Sequence, residues 1–413
     1  MTWVSETVAA EAVAALGGRP RIVVSGNHAI PHTLVRAIDS AVPEYRLWAL
    51  NAQSGMPDRS GVTLETAFVG PAMRNRKHLR YIPSRLSLVP VLFRKRARPE
   101  VVVVNASRVV DGKVSLGAEV NVLPAAIEEC RAVGGLVIAQ VNRHMPYTFG
   151  DGEFAVDDFD YLVEADEPLA DLRAPVIDDL SHSIGARVAD RVPDGATLQL
   201  GIGAVPDASV RGVAERRGLK IWSEMISDGV LTLHERGALD KDEPVVASFV
   251  FGSQRIYEWV DRNPNVHLLR TETTNAPSLI SQRPMMVSVN AALQVDLFGQ
   301  ANASRIDNRI YSGFGGQTDF VVGALHSKGG QALIAMRSWH PRANVSTIVP
   351  LVDEPVTSFQ HSAVVTENGV ASIWGYSQEE QALHLIDHAA HPDVRDELYE
   401  EAVAMSLVRP GSG

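Results

Sequence analysis

The stretch that decides the fold is Met286-Val287-Ser288-Val289-Asn290-Ala291-Ala292-Leu293-Gln294-Val295-Asp296-Leu297-Phe298-Gly299-Gln300. Alternation with a period of two predicts one strand over residues 286–297, ended by a turn at Gly299. One face carries the apolar residues Val287, Val289, Ala291, Leu293, Val295 and Leu297, and the other carries Ser288, Asn290, Ala292, Gln294 and Asp296. Because buried amides and carboxylates need hydrogen-bond partners, we expect a site on the polar face.

The composition is typical of a globular protein with ample material for its cores. The chain has 413 residues, of which 45% are hydrophobic and 21% charged, and this length fits two domains better than one or three. A net charge of −11 argues against nucleic acid and anionic membranes as partners. We find neither a membrane-spanning apolar run nor a secretory signal, so the cytoplasm is the expected location. A single cysteine, Cys130, excludes a disulfide framework and a cysteine-cluster metal site.

Strands and helices alternate along the first half of the chain. The runs Val101–Val104 and Leu136–Val141 are continuously apolar, which is typical of strands buried on both faces of a parallel sheet. The segment Leu123–Val133 between them has helical spacing, and Gly134-Gly135 ends it. This rhythm predicts an open α/β sheet with crossover helices.

The same rhythm begins again after the segment 157–172. A helix is expected over Asp178–Val192, followed by the strand Ala196–Leu200 and by later strands that include the stretch quoted above. We therefore predict two similar open α/β domains with mostly parallel sheets, residues 1–182 and 183–413, with the active site between them. Each domain would contribute one side of that site.

Three glycine-rich turns are candidates for ligand binding. Gly201-Ile202-Gly203-Ala204-Val205-Pro206 follows a strand and opens a helix, so its backbone N–H groups could face an anion or a developing oxyanion. A dinucleotide-binding turn is the rival interpretation, but Pro206 occupies the position of that fingerprint's third glycine. In the second turn, Gly313, Gly315 and Gly316 allow close approach of a ligand. Lys328-Gly329-Gly330 places a cation beside a flexible turn, a pattern that suits an anionic group and also an ordinary surface loop.

These stretches together resemble the acetyl-CoA hydrolase/transferase family, a group of class I CoA-transferases that includes 4-hydroxybutyrate, butyrate and acetate CoA-transferases. The resemblance is carried by Val295-Asp296-Leu297 with Gly299-Gln300, Gly201–Ala208, Tyr311–Phe320, Ser327–Gly330 and Glu224-Met225 with Ser227-Asp228-Gly229. It extends from about residue 60 almost to the C-terminus. It implies a class I CoA-transferase fold and, as substrates, acyl-CoA and a small carboxylate, with no metal.

The resemblance also implies a covalent mechanism. A glutamate on the central strand attacks the acyl-CoA thioester and forms first an acyl-glutamyl anhydride and then a glutamyl-CoA thioester, which an acceptor carboxylate takes over. By the same resemblance Gly203 and Gly315 would hold the oxyanion. The first domain would shape the acyl or acceptor pocket, and the second would bind CoA. The CoA-binding residues would be Gly201, Ile202, Ala204, Val205, Asn290, Gly313, Gly316, Lys328 and Gly329. The enzyme would be a homodimer or a higher homo-oligomer.

This sequence departs from the family at the nucleophile. Gln294 stands where the family form Ala-Leu-Glu-Val-Asp-Leu has its glutamate. An amide has the shape of a carboxylate but little nucleophilicity, so the glutamyl-CoA intermediate could not form in the usual way. A second departure is Trp222, which precedes Ser223-Glu224-Met225 where the family tends to have histidine.

Three explanations of Gln294 stay open at this point. It is an introduced substitution that traps a complex, or the protein is a natural variant that transfers or hydrolyses acyl groups directly, or it binds acyl-CoA without turnover. In the second case another carboxylate would act as a base on water or on an acceptor. The candidates for that base are Glu224, Glu119, Asp296 and Glu367.

Overall fold

A computed structural model describes residues 2–172, 176–201, 203–357 and 360–411. The strands of the first half are β1 (Thr2–Trp3), β2 (Arg21–Val24), β3 (Tyr45–Trp48), β4 (Val62–Thr66), β5 (Leu79–Tyr81), β6 (Val101–Ala106), β7 (Lys113–Ser115), β8 (Leu136–Asn142), β9 (Phe149–Gly150), β10 (Glu153–Ala155) and β11 (Tyr161–Ala165). The helices are α1 (Glu6–Ala14), α2 (His32–Ala41), α3 (Val89–Arg94) and α4 (Leu123–Arg131), with 3-10 turns at Leu86–Leu88 and Val156–Asp158.

The first half is built around an eight-stranded sheet in the order β1-β11-β8-β6-β2-β3-β4-β5. All of its strand pairs are parallel. Its centre is the predicted pair β6 and β8, and the four valines Val101–Val104 have no solvent exposure. Full burial stabilises each such side chain by about 1.5–3 kcal/mol relative to an exposed one, which explains why a β-branched run occupies the middle of the sheet.

The second half contains more strands, many of them short. They are β12 (Thr197–Leu200), β13 (Lys220–Ile221), β14 (Met225–Ile226), β15 (Val245–Ala247), β16 (Phe249–Val250), β17 (Val266–Leu268), β18 (Met286–Asn290), β19 (Gln294–Asp296), β20 (Ala301–Asn302), β21 (Arg305–Ile306), β22 (Arg309–Ile310), β23 (Gln331–Ala335), β24 (Trp339–His340), β25 (Val345–Ser346), β26 (Ile348–Val349), β27 (Ala363–Thr366) and β28 (Gly369–Ser372). The helices are α5 (Asp179–Ala189), α6 (Ala204–Val213), α7 (Asp228–Glu235), α8 (Gln254–Val260), α9 (Thr271–Thr274), α10 (Pro277–Ile280), α11 (Gln317–His326), α12 (Gln378–His384) and α13 (Arg395–Ala404), with a π-helical turn at Leu385–Ala389 and a 3-10 turn at Pro392–Val394.

A six-stranded sheet in the order β13-β12-β18-β23-β27-β28 organises this half. Its pairs are parallel except for β27 with β28. The prediction of an open α/β fold with two mostly parallel sheets is therefore confirmed. In the described part of the chain no helix is both long and apolar enough to cross a membrane.

The stretch 286–297 is two strands, not one as its alternation predicted. β18 lies in the six-stranded sheet between β12 and β23, whereas β19 pairs with β20 and β26 in a separate three-stranded sheet. The break falls on Ala291, Ala292 and Leu293. Alanine has little preference for extended structure, and a period of two carries no information about which neighbours a strand pairs with.

The two halves share structure at several points. β9 comes from the first half and pairs with β17 in the sheet β15-β17-β9. A division between residues 182 and 183 would cut α5, whose Gly185 packs closely against Ala208 of α6. The two-domain division stays a prediction, and its junction fits better before residue 179.

Candidate functional site

A cavity of about 430 Å³ lies between the two halves. The first half contributes loops that follow strands of its sheet, with Asn27 after β2, Asn51 after β3 and Phe68 after β4. The second half contributes Gly201 after β12 and Asn290 at the end of β18. Both sheets thus present the carboxyl ends of their strands to one space, which is where open α/β sheets bind ligands.

Glu224 is the carboxylate that lines this cavity among the described residues. The side-chain amide of Asn275 donates to its Oε2 at 2.9 Å, and the backbone N–H of Gly316 also donates to it. Burial raises the pKa of Glu224 to about 7, and the two donated hydrogen bonds only partly oppose this shift. Near neutral pH the group therefore exchanges a proton readily, as a general acid or base must.

Glu119 is a second buried carboxyl, held behind the cavity wall. Its oxygens accept from Nδ2 of Asn27 and from Nδ2 of Asn121, both at 2.7 Å. Asn51 in turn donates to Oδ1 of Asn27 at 2.7 Å, so one chain of hydrogen bonds orients three cavity-lining amides. Burial raises the pKa of Glu119 to about 7, and the negative charge of Glu224 adds a smaller increase. We conclude that Glu119 positions the asparagines.

The glycine turn at residues 313–316 forms one wall of the cavity, and the predicted ligand-binding role of Gly313, Gly315 and Gly316 stays a prediction. Gly313 and Gly315 pack against the ring of Phe68. A Cβ atom added to Gly313 would lie 3.3 Å from a carbon of this ring, and one added to Gly315 would lie 3.1 Å from it. A Cβ on Gly316 would overlap Oε2 of Glu224 and Nδ2 of Asn275. Residue 316 must therefore be glycine, because a side chain would collide with Glu224. The backbone N–H of Gly316 already donates a hydrogen bond to that carboxylate.

Substituting Gly316 by alanine is expected to displace Glu224. Because the neighbours are hydrogen-bonded and packed, we expect a loss of about 1–3 kcal/mol in the free energy of unfolding, measured by chemical denaturation. Gly201→Ala is the matched control, since the heavy atom nearest to its added Cβ is Pro206 Cγ at 3.9 Å. It should change stability by less than about 0.5 kcal/mol. Equal losses in the two variants would contradict this account of Gly316.

The turn that joins β12 to α6 reaches the cavity through Gly201. Gly203 has a φ of 125° and is the N-cap of α6, a backbone conformation that suits glycine. Gly203, Ala204 and Val205 are not among the lining residues that the structure describes, and Ile202 lies outside the described residues. The ligand-binding role of this turn stays a prediction.

Gln294 is not among the described residues that line the cavity. It begins β19, and Nδ2 of Asn302 donates to its Oε1 over a long 3.4 Å. Asn290 does line the cavity, and its Nδ2 donates to Ser288 Oγ at 2.8 Å and to Gln199 Oε1 at 3.1 Å. The predicted polar face therefore exists on β18, and its amide is held by neighbouring polar groups.

Two of the carboxylates proposed as alternative bases hold turns instead. Asp296 accepts three backbone N–H groups, from Phe298, Gln300 and Val352. Glu367 accepts from the backbone N–H and the hydroxyl of Ser338. Neither group is among the described residues that line the cavity, and backbone N–H groups already donate to their oxygens.

Lys328 and Gly329 lie at the opposite edge of the sheet from the cavity, and their predicted role in binding CoA stays a prediction. The backbone oxygen of Lys328 accepts from Met285, immediately before β18 begins, whereas the cavity lies beyond the other end of that strand. Five residues of strand at about 3.3 Å each separate the two edges. The sequence pattern showed a cation beside glycines but not the direction of the neighbouring strands.

Several cavity residues were absent from the sequence-based candidates. Asn27 and Asn51 follow strands β2 and β3, so the rule that sites lie at carboxyl ends could have found them. Arg74 and Phe68 come after β4, a strand that the sequence did not predict. Their segment gave no signal before its neighbours in the fold were known.

The raised pKa of Glu224 has a consequence for stability. Between its usual value of 4.5 and about 7 the folded protein keeps a proton that the unfolded chain releases, so this group's contribution to stability falls as pH rises. Partly buried His28 and fully buried His361, whose pKa values are lowered to about 4, act in the opposite direction. The contributions of the histidines cancel when the stability of the wild type is compared with that of Glu224→Gln, because both proteins contain them. Wild-type stability minus that of the variant should fall by about 2 kcal/mol from pH 5 to pH 8, measured by urea denaturation. A constant difference would contradict the shift.

Comparison with known proteins places these features in a wider group. The model of the acetyl-CoA hydrolase/transferase C-terminal domain matches residues 252–402. The 4-hydroxybutyrate coenzyme A transferase of Clostridium kluyveri is 39% identical over 349 residues, which cover 81% of this chain and 80% of that protein.

Solved structures agree with the sequence comparisons. RipA from Yersinia pestis superposes with a TM-score of 0.91 at 29% identity, covering 98% of both chains. The 4-hydroxybutyrate CoA-transferase of Porphyromonas gingivalis gives a TM-score of 0.83 at 30% identity and covers 98% of this chain and 97% of that one. The similarity therefore extends over the sheets and cavity of both halves.

Proposed function

Because this chain belongs to the acetyl-CoA hydrolase/transferase family, we propose that it breaks acyl-CoA thioesters in the cavity between its halves and passes the acyl group or CoA to a carboxylate or to water. Acyl-CoA and a small carboxylate are the proposed substrates. The observation that carries the proposal is Glu224, a carboxyl with a pKa near 7 that faces the cavity beside a glycine-rich wall. Such a group suits proton transfer at neutral pH.

The glutamine at residue 294 favours direct hydrolysis or acyl transfer, without a covalent intermediate at that residue. Its amide cannot act as the carboxylate nucleophile that the family resemblance implies, so no covalent intermediate on residue 294 is proposed. In hydrolysis, Glu224 would take a proton from water while the water oxygen bonds to the thioester carbonyl carbon. The oxyanion would accept hydrogen bonds from free backbone N–H groups of the glycine turns. The C–S bond then breaks, and Glu224 returns its proton to the leaving sulfur, so that CoA departs as the thiol.

Binding without turnover is a second candidate function. It is supported by Gln294 itself, since loss of the nucleophile leaves the cavity and its glycine walls intact. The assembly of the chain into a homodimer stays a prediction, as does its place in the cytoplasm.

The test is CoA release from a panel of short acyl-CoAs, with and without added carboxylates, together with calorimetric binding of the same compounds. We expect saturable binding and CoA release, with acyl transfer detected as a new acyl-CoA when an acceptor is present. Binding without release would favour the second candidate. Absence of both would contradict the proposed function.

A further inference from the structure

Arg74 is the only cation among the described residues that line the cavity. Its guanidinium lies over the ring of Tyr311, 3.8 Å from the ring centroid, and its Nε donates to the backbone oxygen of Tyr311 at 3.0 Å. In the described chain it makes no ion pair with an acidic side chain. Stacking and one hydrogen bond thus fix the guanidinium plane while its terminal N–H groups stay available.

The cavity changes in character along the segment from Tyr311 to Gly316. Arg74 contacts Tyr311 at one end, the ring of Phe68 packs against the glycines in the middle, and Glu224 contacts Gly316 at the other end. Leu50 and Leu86 add to the apolar middle. Tyr311 is 41% exposed, so the cation stands near the mouth and the buried carboxyl stands deeper.

We propose that Arg74 binds a second carboxylate at the far end of the acyl or acceptor group, so that the cavity prefers short dicarboxylic substrates over monocarboxylic ones. This inference rests on the proposed function. A ligand whose reacting carbonyl lies near Glu224 would place a short methylene chain against Phe68 and its free carboxylate at the guanidinium. The planar fork of arginine matches a carboxylate with two parallel hydrogen bonds.

A phosphate of CoA is the other anion that a guanidinium could bind. The apolar stretch between Arg74 and Glu224 favours the carboxylate, because a methylene chain gains from contact with Phe68 whereas phosphates lose hydration there. The two sources differ in a measurable way. A phosphate contact would contribute equally to every CoA ester and to free CoA, whereas a carboxylate contact would contribute only to dicarboxylic groups.

The experiment compares unchanged protein, Arg74→Met and Arg80→Met. Arg80 is an exposed arginine of β5, outside the lining residues, and serves as the control. Calorimetric Kd values are measured for succinyl-CoA, butyryl-CoA and free CoA, and kcat/KM for succinate and butyrate as acceptors. We expect unchanged protein and Arg80→Met to bind succinyl-CoA more tightly than butyryl-CoA and to use succinate with a higher kcat/KM than butyrate. In Arg74→Met that preference should fall by roughly 10- to 100-fold, with butyryl-CoA and free CoA little affected.

Three results would overturn the inference. Unchanged protein that binds succinyl-CoA no more tightly than butyryl-CoA has no second carboxylate site. An equal loss of succinyl-CoA, butyryl-CoA and free CoA in Arg74→Met would assign Arg74 to the phosphates of CoA. Failure of unchanged protein to bind any of the three would remove the proposed function as well, whereas butyryl-CoA binding or turnover without the preference would leave that function standing.

Discussion

A Glu224→Gln variant is expected to release CoA from acyl-CoA about 100-fold or more slowly than the unchanged protein. The substituted amide can keep an oxygen where Oε2 accepts from Asn275 and Gly316, so the surrounding structure should persist. What the amide loses is the ability to take a proton from water. The expected result is therefore a fall in kcat with a nearly unchanged Kd for acyl-CoA.

The pH profile gives the same prediction a second readout. A general base must be ionised, so the rate in unchanged protein should rise with pH through the pKa of Glu224, about 7, and then level off. Glu164→Gln, at an exposed position of β11, is the matched control and should retain both rate and profile. If Glu224→Gln turns over acyl-CoA as fast as the control, Glu224 is not the base.

The central sheets were predictable because their strands are apolar on both faces. Val101–Val104 and Leu136–Val141 required neighbours on either side and helices above and below, and β6 and β8 occupy that position. The short strands were not predictable in the same way. β9 has two residues and pairs with β17, more than a hundred residues later, so its signal lies in the partner and not in its own sequence.

The candidate site also contains residues that local sequence could identify and residues whose place depends on neighbours in the fold. Gly313, Gly315 and Gly316 were candidates because glycine allows close approach to a ligand or to the central strand, and in the fold Gly313 and Gly315 pack against Phe68 while Gly316 packs against Glu224. The place of Lys328 could not be predicted, because sequence shows which residues adjoin a turn but not at which edge of a sheet the turn lies. Glu224 could be separated from Glu119, Asp296 and Glu367 only in the fold, where it alone of the four is among the described residues that line the cavity.

If residue 294 is the nucleophile position, as the family resemblance implies, then Gln294→Glu is expected to open a covalent route. Nδ2 of Asn302 donates to the side chain of Gln294 at 3.4 Å, and it could donate equally to a carboxylate at that position. An ionised carboxylate there could attack the thioester carbonyl and expel CoA thiolate. The thiolate would then attack the glutamyl carbonyl of the anhydride, releasing the first carboxylate and leaving a glutamyl-CoA thioester.

We expect this variant to exchange CoA between acyl-CoA and carboxylates at least about 10-fold faster than the glutamine form, a modest share of what covalent catalysis can contribute. Mass spectrometry of the protein mixed with acyl-CoA should show an increase equal to CoA less one water, which hydroxylamine removes. Gln317→Glu, the same change at a cavity-lining residue, is the control for added charge and should form no adduct. Adduct formation at neither position, with exchange unchanged, would mean that the structure around Gln294 has departed from covalent transfer along with its nucleophile. In that case Glu224 would carry the chemistry in both forms.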